Sequence, residues 1–432
     1  MPPLLLDLLY IPALIAFLPI LLWQKYVRRK NRGGWAQRFG LVPPRASTRP
    51  AIWVHAVSLG EVNATRSLVA EIRRRLPDHD VVVSATTDTG YAAACQHYDP
   101  STVFRYPLDF SFVVRRVLDR IRPAAIVLME LEVWPNLITL AARRGIPIGI
   151  ANGRITEEKS MRRFRKPLIR WLARSMFSRI AWIGAQDEIY RTRFAELGTP
   201  RERIAVTGSM KYDTAGIADS VPGDRELAAA MGIDAAKPLI VAGSTGPGEE
   251  ELLLDACSSL QNNGVVAQLA IIPRKPERFD EVARLIESRG ATCARRSQRP
   301  DGVSSAPARN AILLGDTMGE LRKFYSLANV VFVGRSLVPL GGSDLMEVAG
   351  LARPMCFGPY MENFADAAEK LLAADAAIQL SSPADLAPTL RKLLADPESA
   401  RRMARWAQDV VRQNVGATSR TVDLLINAMG RA

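Results

Sequence analysis

The 432-residue chain is 48% hydrophobic and 23% charged, the composition of a folded protein, and its length suits two cores better than one. Its net charge of +13 favours polyanionic partners such as nucleic acid, phosphorylated lipid or an anionic membrane face. Four scattered cysteines without a C-x-x-C pair and three histidines without a companion ligand exclude a disulfide framework and a structural zinc site; the cysteines read as buried thiols of a reducing compartment.

The first element is apolar. Leu8 to Trp23 carries no charge, and as a straight helix it would cover roughly 24 Å, slightly less than the ~30 Å hydrocarbon core. Pro12 and Pro19 disturb it. Lys25, Arg28, Arg29, Lys30, Arg32 and Arg38 follow, and no acid intervenes before Glu61. A signal peptide carries its charged end first; here the basic flank comes second, which holds it and the rest of the chain on the cytoplasmic side. Residues 1–24 are therefore read as a membrane anchor.

Short β-branched runs then alternate with amphipathic helices. Strands are predicted at Ile52–Val57, Val81–Thr86, Val103–Tyr106, Ala125–Met129, Ile146–Ala151, Ile180–Ala185 and Ile204–Val206. In EVNATRSLVAEIRRRL between the first two, Val62, Thr65, Leu68, Val69, Ile72 and Leu76 share one helical face. Near-continuous apolar strands separated by helices indicate a parallel sheet covered on both sides, giving a first domain over 25–214. The turn-rich stretch from Asp213 to Asp224 reads as a linker. The rhythm restarts in a second domain, 225–400, with strands at Leu239–Gly243, Gln268–Ile272, Ala291–Ala294, Ala311–Leu314, Val330–Val333, Met355–Phe357 and Ile378–Leu380, and a surface loop over Arg295–Asn310. A last helical stretch, about Ala400 to Met429 within a 401–432 segment, is long enough to cross back over the first domain. Two doubly wound sheets of this kind bind ligands outside their carboxyl ends, and a cleft between the domains is the default site.

Several strand ends carry chemistry. Glu61 stands on the turn from the first strand to its helix, where an acid suits either catalysis or a helix N-terminus. Glu130 and Glu132, in MELEVWPN, sit two apart at a strand end. Gly243-Ser244-Thr245-Gly246-Pro247-Gly248 opens a helix whose free N–H groups can face an anion, although an ordinary capped turn reads equally well. Gly341-Gly342-Ser343-Asp344 precedes Glu347, which can take ribose hydroxyls or complete a capping box. Arg274 and Lys211 follow strands where a cation can grip phosphate, and Asp316 and Glu320 flank the turn in LLGDTMGELRKFY. The segment from Arg154 to Arg179, with Arg162, Arg163, Arg165 and Lys166 at its centre, reads as a surface for lipid headgroups beside the anchor. RNA is its competitor, but no RNA-binding motif accompanies it, and no nucleic-acid partner is expected.

In their order, WVHAVSLGE, SATTDTG, MELEVWPN, ANGRITEEKS, GSMKYD, VAGSTGPGEE, IIPRKPER, LLGDTMGELRKFY, VGRSLVPLGGSDLMEVAG and FGPYMENF resemble the 3-deoxy-D-manno-octulosonic acid (Kdo) transferases of lipopolysaccharide biosynthesis. The resemblance implies an α/β fold of the GT-B kind, with two Rossmann-like domains facing a cleft and an anchor in the cell inner membrane. It implies an inverting transfer of Kdo from CMP-Kdo to a lipid A precursor, without a metal or other cofactor. Glu61 becomes the general base and Glu130 a substrate-positioning acid. Lys211, Ser244, Thr245, Arg274, Asp316, Glu320 and Glu347 fall on the nucleotide-sugar side, and the dipole of the following helix is expected to keep Glu61 ionised. The sequence departs from the family at Gly246, Lys275 and Ser343, each in place of a histidine, and at Asp344 in place of an asparagine. All four touch the donor side. The alternatives are a GT-B transferase for another nucleotide sugar on a lipid acceptor, and a membrane-anchored nucleotide- or lipid-binding relative without catalysis.

Overall fold

A computed structural model describes residues 3–12, 33–299 and 311–430. The chain separates into two compact units, Met1–Thr214 with Val415–Ala432 and Ala215–Asn414. Most of the expected anchor, and most of the expected surface loop after Arg295, lie outside the described residues. Among the described residues no helix is long and apolar enough to cross a membrane.

Each unit is built on a seven-stranded parallel sheet, and every run anticipated from β-branched composition forms a strand, shifted by a residue or two at its ends. In the first unit these are β1 (Ala51–Ala56), β2 (Asp80–Ala85), β3 (Val103–Arg105), β4 (Pro123–Met129), β5 (Ile148–Gly153), β6 (Trp182–Ala185) and β7 (Ile204–Val206), in the order β3-β2-β1-β4-β5-β6-β7. The direction of winding reverses between β1 and β4, and ligands of such sheets bind beyond the strand ends at that reversal. Alternate residues of β1 feed opposite faces. Ile52, Val54 and Ala56 pack with Leu68, Ile72, Val422 and Leu425 on one side. Trp53 packs with Phe104, Val117 and Leu137 on the other.

The helix Leu59–Arg75 buries Val62, Thr65, Leu68, Val69 and Ile72, as its periodicity requires, and Ser58 caps its start. The C-terminal stretch, expected as one helix, is two: Pro397–Asn414 in the second unit and Ala417–Met429 in the first. Gly416 breaks them, with a φ of 91° that a side-chain-bearing residue rarely adopts. Asp213 accepts the backbone N–H groups of Gly416 and Thr418 at 2.6 and 2.5 Å, satisfying the first donors of the terminal helix.

The second unit holds β8 (Leu239–Thr245), β9 (Gln268–Pro273), β10 (Cys293–Arg295), β11 (Ile312–Leu314), β12 (Val330–Val333), β13 (Met355–Phe357) and β14 (Ile378–Gln379), in the order β10-β11-β9-β8-β12-β13-β14. Here the reversal lies between β8 and β12. One core of this unit joins Ile240, Leu269, Ile271, Phe332 and Cys356 to Leu253, Val282, Leu390 and Met403. Of the four thiols, Cys257 and Cys356 are buried and Cys95 and Cys293 half-buried, all unbridged; the latter two lie near element ends, at the margin of the packing.

Candidate functional site

In the first unit the turn after β1 carries Glu61. Its Oε2 accepts the Val57 N–H at 2.9 Å and its Oε1 accepts the Ser58 hydroxyl at 3.1 Å, while the Glu61 N–H reaches Ser58 Oγ at 3.4 Å. This is a reciprocal cap of the helix start. The capping reading of Glu61 is therefore correct as far as it goes. The cap does not hold the carboxylate in the usual low pKa range, as the helix dipole was expected to do. Burial pushes its pKa up, and the charges of Glu130 and Glu132 add to burial; against them stand the Val57 N–H and Ser58, and the balance settles at about 7. Desolvation outweighs the dipole because the effect of the dipole is worth only ~1 kcal/mol.

Glu130 and Glu132 come from the turn after β4, the other strand at the reversal. Glu130 has φ 56° and donates its N–H to Ala151 O at 2.9 Å. Non-glycine residues in the left-handed region cluster at functional sites, although Arg122 adopts the same region as a plain helix C-cap. Glu132 accepts Trp134 Nε1–H at 3.2 Å; burial raises its pKa, with Glu130 reinforcing the rise against that bond. The first unit thus gathers three acids where sequence reasoning gave roles to two. Beneath them His55 is fully buried and stacks on Tyr106 at 3.9 Å. Burial drives its pKa to about 3, against a bond to Ser84, so it is a neutral packing residue.

Asn152, at the end of β5, has φ 55° and accepts the Met210 N–H at 3.1 Å. That bond fixes the loop bearing Lys211, which is exposed and belongs to the first unit. The other expected nucleotide-side residues, Ser244, Thr245, Arg274, Asp316, Glu320 and Glu347, all belong to the second unit. Arg162, Arg163, Arg165 and Lys166 are all exposed, ahead of and into the helix Pro167–Phe177, which turns Ala173, Met176 and Phe177 inward and Trp171 outward. Arg165 is paired with Glu157 and Glu196.

In the second unit the loops after β8 and β12 meet. Ser244 (φ 57°) and Arg335 (φ 61°) both adopt left-handed backbones there. Glu249, fully buried, joins the two loops: its carboxylate accepts the N–H groups of Gly246 (2.9 Å), Arg335 (2.5 Å), Ser336 (2.8 Å) and Leu337 (2.9 Å). Three consecutive N–H groups converging on one anion form a nest of the kind that elsewhere binds phosphate. Here an internal carboxylate fills it. Thr245 is likewise engaged, donating to Glu250 at 2.7 Å, and Glu250 is clamped by Arg278 at 2.7 Å. The glycine-rich loop is thus braced from within by the two acids that follow it.

Ser244, Arg274 and Glu347 do come together, around Tyr325. Tyr325 is buried and hydrogen-bonds Ser244; burial and the charges of Glu347 and Asp344 raise its pKa, with Arg274 acting in the opposite sense. Burial and Asp344 raise the pKa of Glu347, while Arg322 and Arg274 lower it. The departure Asp344 has a local use: its Oδ1 accepts the Met346 N–H at 2.9 Å, at the start of the helix Met346–Gly350. Asp316 and Glu320 form a separate group. Asp316 takes Arg295 and both Ser297 donors at 2.6–2.7 Å. Burial opposes ionisation of Glu320, but Arg296, Thr317 and Lys323 outweigh it and hold its pKa down to about 2. Arg295 and Arg296, expected in a surface loop, are therefore ion-pair partners.

Tyr325 explains a glycine. A Cβ on Gly243 would lie 2.2 Å from the Tyr325 hydroxyl. Gly243→Ala is expected to displace Tyr325 and lower stability by about 1–3 kcal/mol, measured by urea melts, with weaker nucleotide binding. Glu249, Glu250 and Tyr325 were missed as site residues because consecutive glutamates after a glycine turn read as helix-start acids, and nothing near Tyr325 in sequence points to Gly243. Among the described residues no group of three or more His, Cys, Asp or Glu side chains could hold a metal.

Two doubly wound parallel sheets with their charged turns at the winding reversals define an α/β protein of GT-B-like fold. Among solved structures the chain is similar to a UDP-GlcNAc 2-epimerase from Neisseria meningitidis, with a TM-score of 0.57 and 13% identity over 87% of this chain and 100% of that one. It is similar also to a glycosyltransferase from Rickettsia africae, with a TM-score of 0.57 and 10% identity over 89% and 100%. These likenesses are of fold alone. The family model for 3-deoxy-D-manno-octulosonic-acid transferase matches residues 33–214. A 3-deoxy-D-manno-octulosonic acid transferase of Haemophilus influenzae is 33% identical over 395 residues, 90% of each chain. One of Bordetella pertussis is 33% identical over 442 residues, 98% of this chain and 99% of that one. The chain belongs to the Kdo transferase family and is a glycosyltransferase.

Proposed function

We propose that the protein transfers Kdo from CMP-Kdo to the glucosamine disaccharide of a lipid A precursor, with inversion and without a metal, at the cytoplasmic face of the inner membrane. Glu61 is the base. It takes the proton of the attacking sugar hydroxyl as oxygen bonds to the anomeric carbon and the bond to CMP breaks. The observation that carries this assignment is the Glu61 carboxylate at the β1–β4 reversal, its pKa raised by burial to about 7, so that near neutral pH the ionised share of it is a strong base for the hydroxyl proton. Burial, with the charges of Glu130 and Glu132, keeps its proton affinity high, and the two acids orient the acceptor. The departing CMP gathers negative charge, and Arg274, with Ser244 and the turn of Glu347, supports its neutralisation in the second unit; Lys211 adds a cation from the first. The exposed Arg162, Arg163, Arg165 and Lys166 suit the phosphates of the acceptor and an anionic bilayer.

The test has two arms. Incubation of the full chain with a lipid A precursor, Kdo, CTP and a Kdo-activating enzyme should add one or more Kdo masses to the precursor by mass spectrometry; an unchanged precursor would defeat the reading. Titration calorimetry should give tighter binding of CMP than of UMP or UDP, and the reverse order would reassign the donor.

A further inference from the structure

The described N-terminal helix, residues 3–12, turns its polar side chains inward. Leu4, Leu5, Leu8, Leu9 and Ile11 are 46–69% exposed, whereas Leu6 is 3% exposed and faces the unit beside Asp7 and Tyr10. Asp7 accepts the Ser111 N–H at 2.8 Å, the Ser111 hydroxyl at 2.5 Å and Asn136 Nδ2–H at 2.9 Å. Tyr10 donates its hydroxyl to Asp109 Oδ2 at 2.9 Å and sets its ring edge-on to Phe110 at 5.8 Å. Asp109 in turn accepts the N–H groups of Asn136 (2.9 Å) and Leu137 (3.0 Å), the first donors of the helix Pro135–Arg143, whose own N-cap residue, Trp134, contributes no side-chain bond. Phe110, the N-cap of the helix Ser111–Ile121, contributes none either; Asp7 supplies it.

These bonds meet at one place. The turn bearing Glu130, Glu132 and Trp134 is pinned at its start by the Glu130 N–H on Ala151, and at its end by Asn136, which is fully buried. Among the described residues, Asp109 and Asp7 hold Asn136 through its side-chain and N–H bonds. A helix serving solely as a tether to lipid needs its outward apolar face and has no use for an inward carboxylate.

We propose that the N-terminal helix is a working part of the transfer site: through Asp7 and Tyr10 it holds the Glu130–Asn136 turn in place beside Glu61, making Asp7 and Tyr10 positioning residues. The proposal rests on the reading of Glu61 as the base. The groups that face Glu61 are Glu130, Glu132, Ser58 and the Val57 N–H. When the turn loosens, the two negative charges are no longer fixed there, and Glu61 ionises at lower pH.

The experiment uses the full chain in detergent micelles with a lipid A precursor, and in parallel with anionic vesicles. Tyr10→Phe removes one hydroxyl and keeps the ring; Asp7→Ala removes the cap. Both should lower kcat on the order of tenfold, leave KM for the sugar nucleotide unchanged, shift the acidic limb of the kcat profile to lower pH, and leave vesicle association intact. Glu132→Gln, which deletes one charge and leaves Asp109 in place, should shift the limb the same way. A Leu8→Ser, Leu9→Ser double variant should do the opposite, losing vesicle association while keeping kcat and its pH limb in micelles. Unchanged kcat and limb in Tyr10→Phe and Asp7→Ala, with Glu61→Gln inactive, would overturn the proposal alone. Equal loss of kcat in the Leu8/Leu9 variant would also overturn it, by showing that membrane attachment is all the helix supplies. Turnover by Glu61→Gln would remove the base reading, and with it the link between helix and proton transfer.

Discussion

Glu61→Gln is expected to lower turnover by about 10²–10⁴-fold without loosening the fold. Glutamine is an accepted member of the capping box, and its amide oxygen can still take the Val57 N–H that the carboxylate takes. The wild-type chain should lose activity as pH falls through about 7, where burial and the neighbouring acids place the Glu61 titration, because the protonated acid cannot accept the acceptor's proton. The effect on stability runs the other way. A carboxyl whose folded pKa is raised above its unfolded value of ~4.3 costs stability as pH rises between the two, since the unfolded chain releases its proton first. Glutamine carries no such cost. The thermal midpoint of Glu61→Gln relative to wild type should therefore rise from pH 5 to pH 8. An inactive variant that melts no lower than wild type at pH 8 is the expected pairing of results from activity assay and calorimetry; an inactive variant that melts well below it would mean that the acid serves the fold first.

Arg278→Ala should have the largest effect on stability. Glu250 is fully buried, and Arg278 reaches its two oxygens at 2.7 and 3.2 Å while also holding Glu281 at 2.7 Å. Burial works against the charge on Arg278, but these two acids outweigh it and raise its pKa. Removing the guanidinium leaves a buried carboxylate that keeps, among the described residues, the Thr245 hydroxyl as a polar contact, a change that typically costs about 3–5 kcal/mol. A stranded buried acid recovers by taking up a proton, so the deficit should shrink as pH is lowered from 8 towards 5. Replacing both partners by leucine should restore much of the loss. Denaturant melts of the two variants across that range decide the matter, and a deficit independent of pH would show that lost packing, not lost charge pairing, is responsible.

The fold was open to reading because its signals are local. Runs such as VVVSA and VVFV can only be buried strands between helices, and they formed strands β2 and β12. The position of Glu61 was legible for the same reason, as a glycine turn after an apolar run. Its proton affinity was not, since that depends first on burial and then on Glu130 and Glu132, brought beside it by pairing of β1 with β4. The second unit repeats the lesson. Glu249 reads as a helix-start acid, yet it answers to Arg335, Ser336 and Leu337, which arrive through the pairing of β8 with β12. Arg295 and Arg296 read as loop charges because Asp316 and Glu320, which hold them, lie beyond the next strand. What composition could not supply in each case was the identity of a neighbour distant along the chain.

Glu130, Asn152, Ser244 and Arg335 twist their backbones to positive φ without being glycines. Glycine at any of the four would relieve a backbone penalty of order 1 kcal/mol or more, but Asn152, Ser244 and Arg335 would give up side-chain bonds to Met210, Tyr325 and Leu340 in exchange. A selection for heat tolerance would thus be drawn first to the Glu130 codon, and the mutants it enriched would have surrendered a carboxylate beside Glu61. Under the proposed function, robustness and turnover compete at Glu130, and the chain as it stands has kept the acid.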